Sequence, residues 1–191
     1  MPREALIYAV ELLRRTIGDP GGAAQQFTDE ELELFLDQTR TDVVERELEA
    51  VATPSGGTLV TLRHVVPADL RGLVWANVVL TDGSRQAATP GASNLALGEW
   101  TFIADTDGPL YLTADGYDLN AAGAIACDTW AAALSRHSYD FSADGASYHR
   151  SQAVKQLRET ADNLRSRARG SQGGVQVAQM VRSDVNMRST F

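Results

Sequence analysis

Only one cysteine, Cys127, occurs in the 191 residues. A lone thiol closes no internal disulfide, so the fold must rest on burial and hydrogen bonding, and the usage fits a chain made in a reducing cytoplasm. Cys127 sits among alanines with no histidine in sequence reach to act as its base, and it reads as a small core residue rather than a nucleophile. His64, His137 and His149 are widely separated, and zinc binding by them is not expected. There is no apolar run approaching about 20 residues, so no membrane span is expected. The opening, Met1-Pro-Arg-Glu-Ala-Leu-Ile-Tyr8, lacks the apolar core and cleavage site of a secretory leader. A glycine-rich phosphate loop, a Gly-x-Ser-x-Gly elbow and a dinucleotide fingerprint are all missing. Asp105-Thr-Asp-Gly108 hints at a calcium loop, but its twelfth position would be Gly116 instead of an acid, so a hairpin turn explains it better. No cofactor, no metal and no enzymatic activity are expected.

Basic residues are scarce except at one end. The net charge is −8. Residues 150–191 hold eight Lys/Arg against three Asp/Glu, while residues 1–149 hold nine against twenty-two. An acidic body with a basic tail suits a nucleic-acid arm or a segment that docks on an acidic partner. The tail has no dense basic run and a single aromatic, Phe191, which argues against sequence-specific DNA binding and leaves docking on protein open.

What is present is a strong helical signal over 117–169. Asp118 is a good N-cap, and Leu119, Ala122, Ile125, Ala126, Trp130, Ala133 and Leu134 fall on one helical face. A second helix opening near Ser147 carries Val154, Leu157, Ala161, Leu164 and Ala168 at steps of three and four. The short link between them, with Asp144-Gly145 as its turn, predicts a long antiparallel helical hairpin. Its many alanines allow close helix approach. Ala122, Ala126, Trp130, Leu157 and Leu164 are the candidate residues for packing between subunits.

Glu4–Arg15 reads as a short amphipathic helix, with Leu6, Tyr8 or Ala9, Leu12 and Leu13 inward, stopped by Gly18-Asp-Pro-Gly-Gly22. Thr28 with Glu31 forms a capping box, flanked by Phe27 and Leu32 as a hydrophobic staple, for a helix to about Thr39. The carboxylates of Asp29-Glu30-Glu31 are accounted for by the dipole at that helix start. Val43–Ala52 reads as a strand with Glu45, Glu47 and Glu49 on one acidic face, although Val44, Leu48 and Val51 also fit a helix. Strands follow at Thr58–Val66, Leu73–Leu80, Gly98–Asp105 and Pro109–Thr113, with turns at Asp82-Gly83 and Asp107-Gly108. The expectation is one antiparallel sheet of about five strands, with Trp75, Trp100, Phe102 and Tyr111 in its core.

Beyond the Gly170-Ser-Gln-Gly-Gly174 spacer, Val175, Val177, Met180, Val181, Val185, Met187 and Phe191 are scattered through a tail with weak alternation. The tail reads either as a disordered end or as an extended arm that adds a strand to a partner's sheet. The fold class is therefore α+β: a small helical bundle (1–42 and 115–169), an inserted β subdomain (43–114) and an extended C-terminal arm (170–191).

The order of these pieces resembles a known family. Arg15-Thr-Ile-Gly-Asp19, Phe27-Thr-Asp-Glu-Glu31 and Leu36-Asp37 resemble the opening of head–tail adaptor (connector) proteins of long-tailed bacteriophages and prophages. So do Tyr117-Asp-Leu119 before the Ala-rich helix with Trp130, Tyr139-Asp-Phe-Ser-Ala-Asp-Gly145, Ser151-Gln152 and Arg165-Ser-Arg-Ala168. Trp75 to Asp82-Gly83 and Gly98-Glu-Trp-Thr-Phe102 look like the β insertion that some members carry, whereas small members lack it. The likeness covers residues 13–169 in loose patterns. It implies a structural virion protein at the head–tail junction, in a homo-oligomeric ring of about twelve subunits around the channel for double-stranded DNA. The ring would join the portal protein, through the C-terminal arm, to a stopper or tail-completion protein. An acidic body suits a channel wall that repels phosphate, with Glu45, Glu47 and Glu49 as candidates.

Two other readings stay open. One is a stopper or tail-terminator protein of the same junction. The other, of a different class, is a carbohydrate-binding or hydrolase module on the inserted sheet, with Trp75, Trp100 and Tyr111 as a stacking platform.

Overall fold

The computed structural model describes residues 3–55, 58–106, 108–136, 141–143, 146–148 and 150–168. They form an α+β structure with four α-helices, two larger antiparallel sheets and a two-stranded ribbon. The chain divides into two compact units. One holds the described residues up to Leu12 and from Leu36 to Asp118; the other holds Leu13–Phe35 and the described residues from Leu119 onward.

A 3-10 turn at Glu4–Leu6 leads into α1, Ile7–Ile17. Leu6, Ala9, Val10, Leu13 and Ile17 are buried along it, while Tyr8 stays exposed. Gly18, at φ +70°, ends the helix in a conformation that favours glycine. Helix α2, Asp29–Asp37, opens on the expected capping box. The Glu31 carboxylate accepts from the Thr28 amide at 2.8 Å, and the Thr28 hydroxyl accepts from the Glu31 amide at 3.2 Å. Phe27 and Leu32, the staple pair, are both buried.

The loop between α1 and α2 is closed by charge. Arg14 pairs with Asp19 at 2.5 Å and with Asp29 at 2.7 Å, and donates to the Phe27 carbonyl at 2.8 Å. The Asp19 side chain has no exposure, and its two oxygens also accept from the amides of Gln26 and Phe27. A carboxylate withdrawn from water in this way is tolerated because both of its oxygens find donors and a cation sits beside it. Phe27 meets Phe35 and Trp130 edge to face, with centroids 5.4 and 6.2 Å apart.

Helix α3, Leu119–Ser135, packs against α4, Arg150–Arg167. Ala122, Ala126, Cys127 and Ala131 of α3 are buried, as are Val154, Ala161 and Leu164 of α4. A Cβ at Gly123 would lie 3.1 Å from Leu164, so the small residue sets the helix separation there. Helix α4 begins at Arg150 and not near Ser147, because the preceding residues pair instead. Phe141–Ala143 and Ala146–Tyr148 (β8 and β9) form the ribbon, with Phe141 opposite Tyr148.

The remaining strands correct the single sheet read from the sequence. Arg40–Glu47 (β1), Leu110–Tyr117 (β7) and Val74–Asp82 (β4) make one sheet in the order β1-β7-β4. Glu49–Ser55 (β2), Thr58–Val65 (β3), Glu99–Thr101 (β6) and Ala92–Asn94 (β5) make a second, in the order β2-β3-β6-β5. The segment expected as one strand, Val43–Ala52, is thus two strands parted at Leu48. Helix α2 likewise stops at Asp37, two residues short of the expected end, where the chain turns into β1.

The two sheets share one core, in which Trp75, Leu80, Leu112 and Ala114 of the first meet Trp100 of the second, with Leu48, Val66 and Phe102 between. Tyr111, expected there, is only half-buried. Bulges interrupt β1 between Val43 and Arg46, β2 between Val51 and Ala52, and β4 between Ala76 and Val79. All three are edge strands, and a bulged edge is a poor template for pairing with another chain.

Two substitutions test the packing. Gly98 has φ +62°, and a Cβ there would lie 2.7 Å from Trp75 Nε1 and from Val66 Cγ2. Gly98→Ala should therefore cost about 3 kcal/mol in urea unfolding, from the left-handed backbone and the overpacking together. Asp19→Ala should cost about 3 kcal/mol by leaving Arg14 partly unmatched. Arg3→Ala, which breaks an exposed pair with Asp37, should cost under about 1 kcal/mol.

Candidate functional site

Where the chain passes from the first sheet to the second, it leaves a groove of about 810 Å³ lined by Glu45–Ala50, His64, Pro67, Gly108, Pro109 and Tyr111. Leu48 makes the crossing. Its side chain is buried, and its amide donates to the Leu110 carbonyl at 2.8 Å. Glu47 lies opposite Tyr111 of β7, and Ala50 lies opposite His64 of β3, so the groove is bounded by both sheets. Glu45, Glu47 and Glu49 all border this groove, but so do Arg46 and Ala50, because the β1 bulge and the crossing at Leu48 interrupt the strict alternation that the sequence reading expected. The β1 bulge aims Glu45: its φ is +47°, and its amide donates to the Thr113 hydroxyl at 3.1 Å.

The charges on this wall are unequally satisfied. Glu49 pairs with Arg71 at 2.9 Å and accepts from the Ala68 amide. Arg46 pairs with Asp69 at 2.9 Å, and Glu45 lies 3.5 Å from Arg85. The Glu47 side chain, unlike its backbone, is in none of these pairs among the described residues.

His64, which the sequence marked only as an isolated histidine, is fully buried. Its ring meets Phe102 edge to face at 5.6 Å, and Nε2 lies 2.7 Å from the Thr106 hydroxyl. That hydroxyl donates to the Thr61 carbonyl at 2.9 Å. Its hydrogen is therefore committed, and it receives the Nε2 proton, which leaves Nδ1 as a bare acceptor. Nδ1 has no partner. Burial pushes the imidazole below its ordinary pKa, so the ring stays neutral. The signal for this role was position: His64 falls on the same alternate face as Leu62 and Val66, where a polar side chain must go inward.

Other expected sites are distributed differently. Ala122, Ala126 and Leu164 are buried within the chain, which leaves Trp130 and Leu157, both half-buried, as the packing candidates with surface to offer. Trp75 and Trp100 are each 1% exposed, so of the three aromatics expected as a stacking platform only Tyr111 keeps surface. Cys127 is buried, and burial raises its thiol pKa. Among the described residues there is no group of three metal-ligating side chains, and no helix is long and apolar enough to cross a membrane. Asp105 accepts from the Thr61 amide at 2.7 Å, as a turn residue does. The arm residues Val175, Val177, Met180, Val181, Val185, Met187 and Phe191 lie outside the described residues.

No protein-family model, curated protein or solved structure matches the chain.

A depressed histidine pKa has a fixed sign. As pH falls through about 6.5 the unfolded chain takes up a proton that the native His64 refuses, so acidification favours unfolding. Wild-type stability should fall more steeply between pH 7 and pH 5 than that of His64→Gln, measured by urea unfolding at each pH. Parallel profiles would place the titration elsewhere.

Proposed function

We propose that the chain is a structural subunit of the head–tail junction of a long-tailed phage or prophage, acting as an adaptor ring between the portal and the stopper or tail. The observation that carries this reading is the interleaved order of the chain. A helical unit is assembled from Leu13–Phe35 and from α3 and α4, while the sheets of the other unit come from the sequence between them. That is the order of pieces on which the resemblance to adaptors rests. The close, small-residue packing of α3 on α4 supports a helical hairpin of the expected kind. In this reading the ring encloses the DNA channel, and the segment from Val175 to Phe191 reaches the portal.

A stopper or tail-terminator of the same junction is the second reading, favoured by the two sheets of the β unit. Helix and strand cover nearly equal numbers of described residues, so content alone does not separate the two. Partner choice does. Mixed with the portal of the same phage, the protein should shift by native mass spectrometry to a complex carrying about one adaptor per portal subunit. Deleting residues 175–191 should abolish that shift and leave the far-ultraviolet circular dichroism of the remainder unchanged. Undiminished portal affinity in the deletion would refute the arm, and its absence from purified virions would refute the assignment.

A further inference from the structure

We propose that the chain meets a second copy of itself head to tail, the β2–β3 ribbon of one copy resting on the β5 edge of the next. Charge and placement carry this together. Residues 36–118 hold twelve Asp/Glu against five Arg. Within them, residues 50–62 and 86–98 hold no charged side chain, and at thirteen residues each these are the two longest such runs in the chain. The first run makes most of β2 and β3, and the second contains β5. The order β2-β3-β6-β5 sets them at opposite edges of one sheet.

The ribbon outruns its own sheet. β6 pairs with β3 only at Arg63, His64 and Val65, while β2 and β3 stay paired out to Ser55 and Thr58. From residue 49 to residue 63 no described side chain is buried, and Leu59 is 72% exposed. A two-stranded ribbon with neither face covered is marginally stable in water. Native edges in the open are commonly guarded by charge, and this one has none. The bulge between Val51 and Ala52, with Pro54 beyond it, disfavours strand addition, so the ribbon makes its contact through its faces. At the other edge the large exposed apolar side chains are Leu97, which follows β5, and Ile103, which lies beside Gly91.

The occupant follows from charge. A cationic partner would be drawn to the acidic surface and not to the two stretches that lack charge. A second copy is repelled by that acidic surface and approaches at least cost where neither side brings a charge. With the two surfaces at opposite edges, each copy offers its ribbon to one neighbour and its β5 edge to another. Such a heterologous contact closes into a ring when the rotation allows. Closure into a ring rests on the adaptor reading above; the contact itself does not, and its test leaves the portal out. Failure of the self-contact leaves portal binding to be measured, and failure of portal binding leaves the self-contact standing.

The test uses the full-length protein. Sedimentation velocity over a rising concentration series should show reversible association that strengthens from about 50 mM to about 0.5 M salt, as repulsion between the acidic bodies is screened. Leu59→Asp should weaken that association by about tenfold or more. Val44→Asp, at a side chain just as exposed but outside both runs, should leave it unchanged. Both positions lie largely in solvent, so the circular dichroism and unfolding midpoints of the two variants should match wild type and exclude misfolding as the cause. Under mild oxidation, Leu59→Cys mixed with Leu97→Cys or with Ile103→Cys should cross-link in at least one of the two mixtures, and no variant should do so alone; Cys127 is buried and stays silent. Cross-linking of Leu59→Cys with itself to the same extent would overturn the head-to-tail arrangement in favour of a two-fold one. A monomer at every concentration and salt would overturn the contact. So would equal losses from Leu59→Asp and Val44→Asp, weakening by salt, or association without a cross-link in either mixture.

Discussion

A single buried leucine holds the β unit in its two-sheet form. Residues 40–55 run as the edge of one sheet and then of the other, and the chain can change sheets only if the residue at the crossing is satisfied in both its side chain and its backbone. Leu48 meets both conditions, through burial in the shared core and an amide bond to Leu110. Between the β1 bulge and this crossing the chain loses strict alternation, so residues 45–50, three glutamates among them, all border one groove. The same crossing brings β7 and β3 together, so Tyr111 and His64 border one groove although they are distant in sequence.

Electrostatics in the body of the chain follow from its shortage of cations. Arg3, Arg14, Arg40, Arg46, Arg63, Arg71 and Arg85 are each engaged with a carboxylate. Most of these pairs are exposed and contribute little to stability. Arg14 with Asp19 is the exception, because burial removes the water that would otherwise screen it. With these seven arginines committed, acid still exceeds base in residues 1–149, by twenty-two to nine. Glu47 is where that excess meets a concavity, and a concave, low-dielectric wall focuses the field of a charge more than a convex surface does.

Local signals in the sequence predicted local structure well. The Thr28–Glu31 box and the Gly18 stop depend on residues a few positions apart, and the structure places them as expected; the helix over 119–134 is also present, but its buried face takes in Ala124, Cys127 and Ala131 and leaves Ala133 exposed. Asp82-Gly83 also turns the chain, with Asp82 accepting from the amides of Ser84 and Gln86. What was not legible depends on partners far along the chain. Nothing in Arg40–Glu47 says that it pairs with Leu110–Tyr117, and without that pairing five strands look like one sheet. The break at Leu48 is invisible to periodicity because an apolar residue at that position satisfies strand and helix alike. Asp19 looked like loop punctuation, and its burial follows only once Arg14 and two amides converge on it.

The small residues of α3 show how one pattern can serve two purposes that compete. Ala122 and Ala126 were candidates for contact between subunits, yet side chains with no exposed area cannot also cover a neighbour. Close approach to α4 uses them inside one chain. If adaptor subunits pack through their helices, the contact must fall on side chains that keep surface, such as Trp130, Leu157 and the exposed Leu34. Trp130 already rests one ring edge to face with Phe27. A half-buried aromatic held in a fixed orientation loses little conformational entropy when its remaining face is covered, which is the property an assembly contact requires. The internal packing of the helices would then prepare the contact between copies without itself forming it.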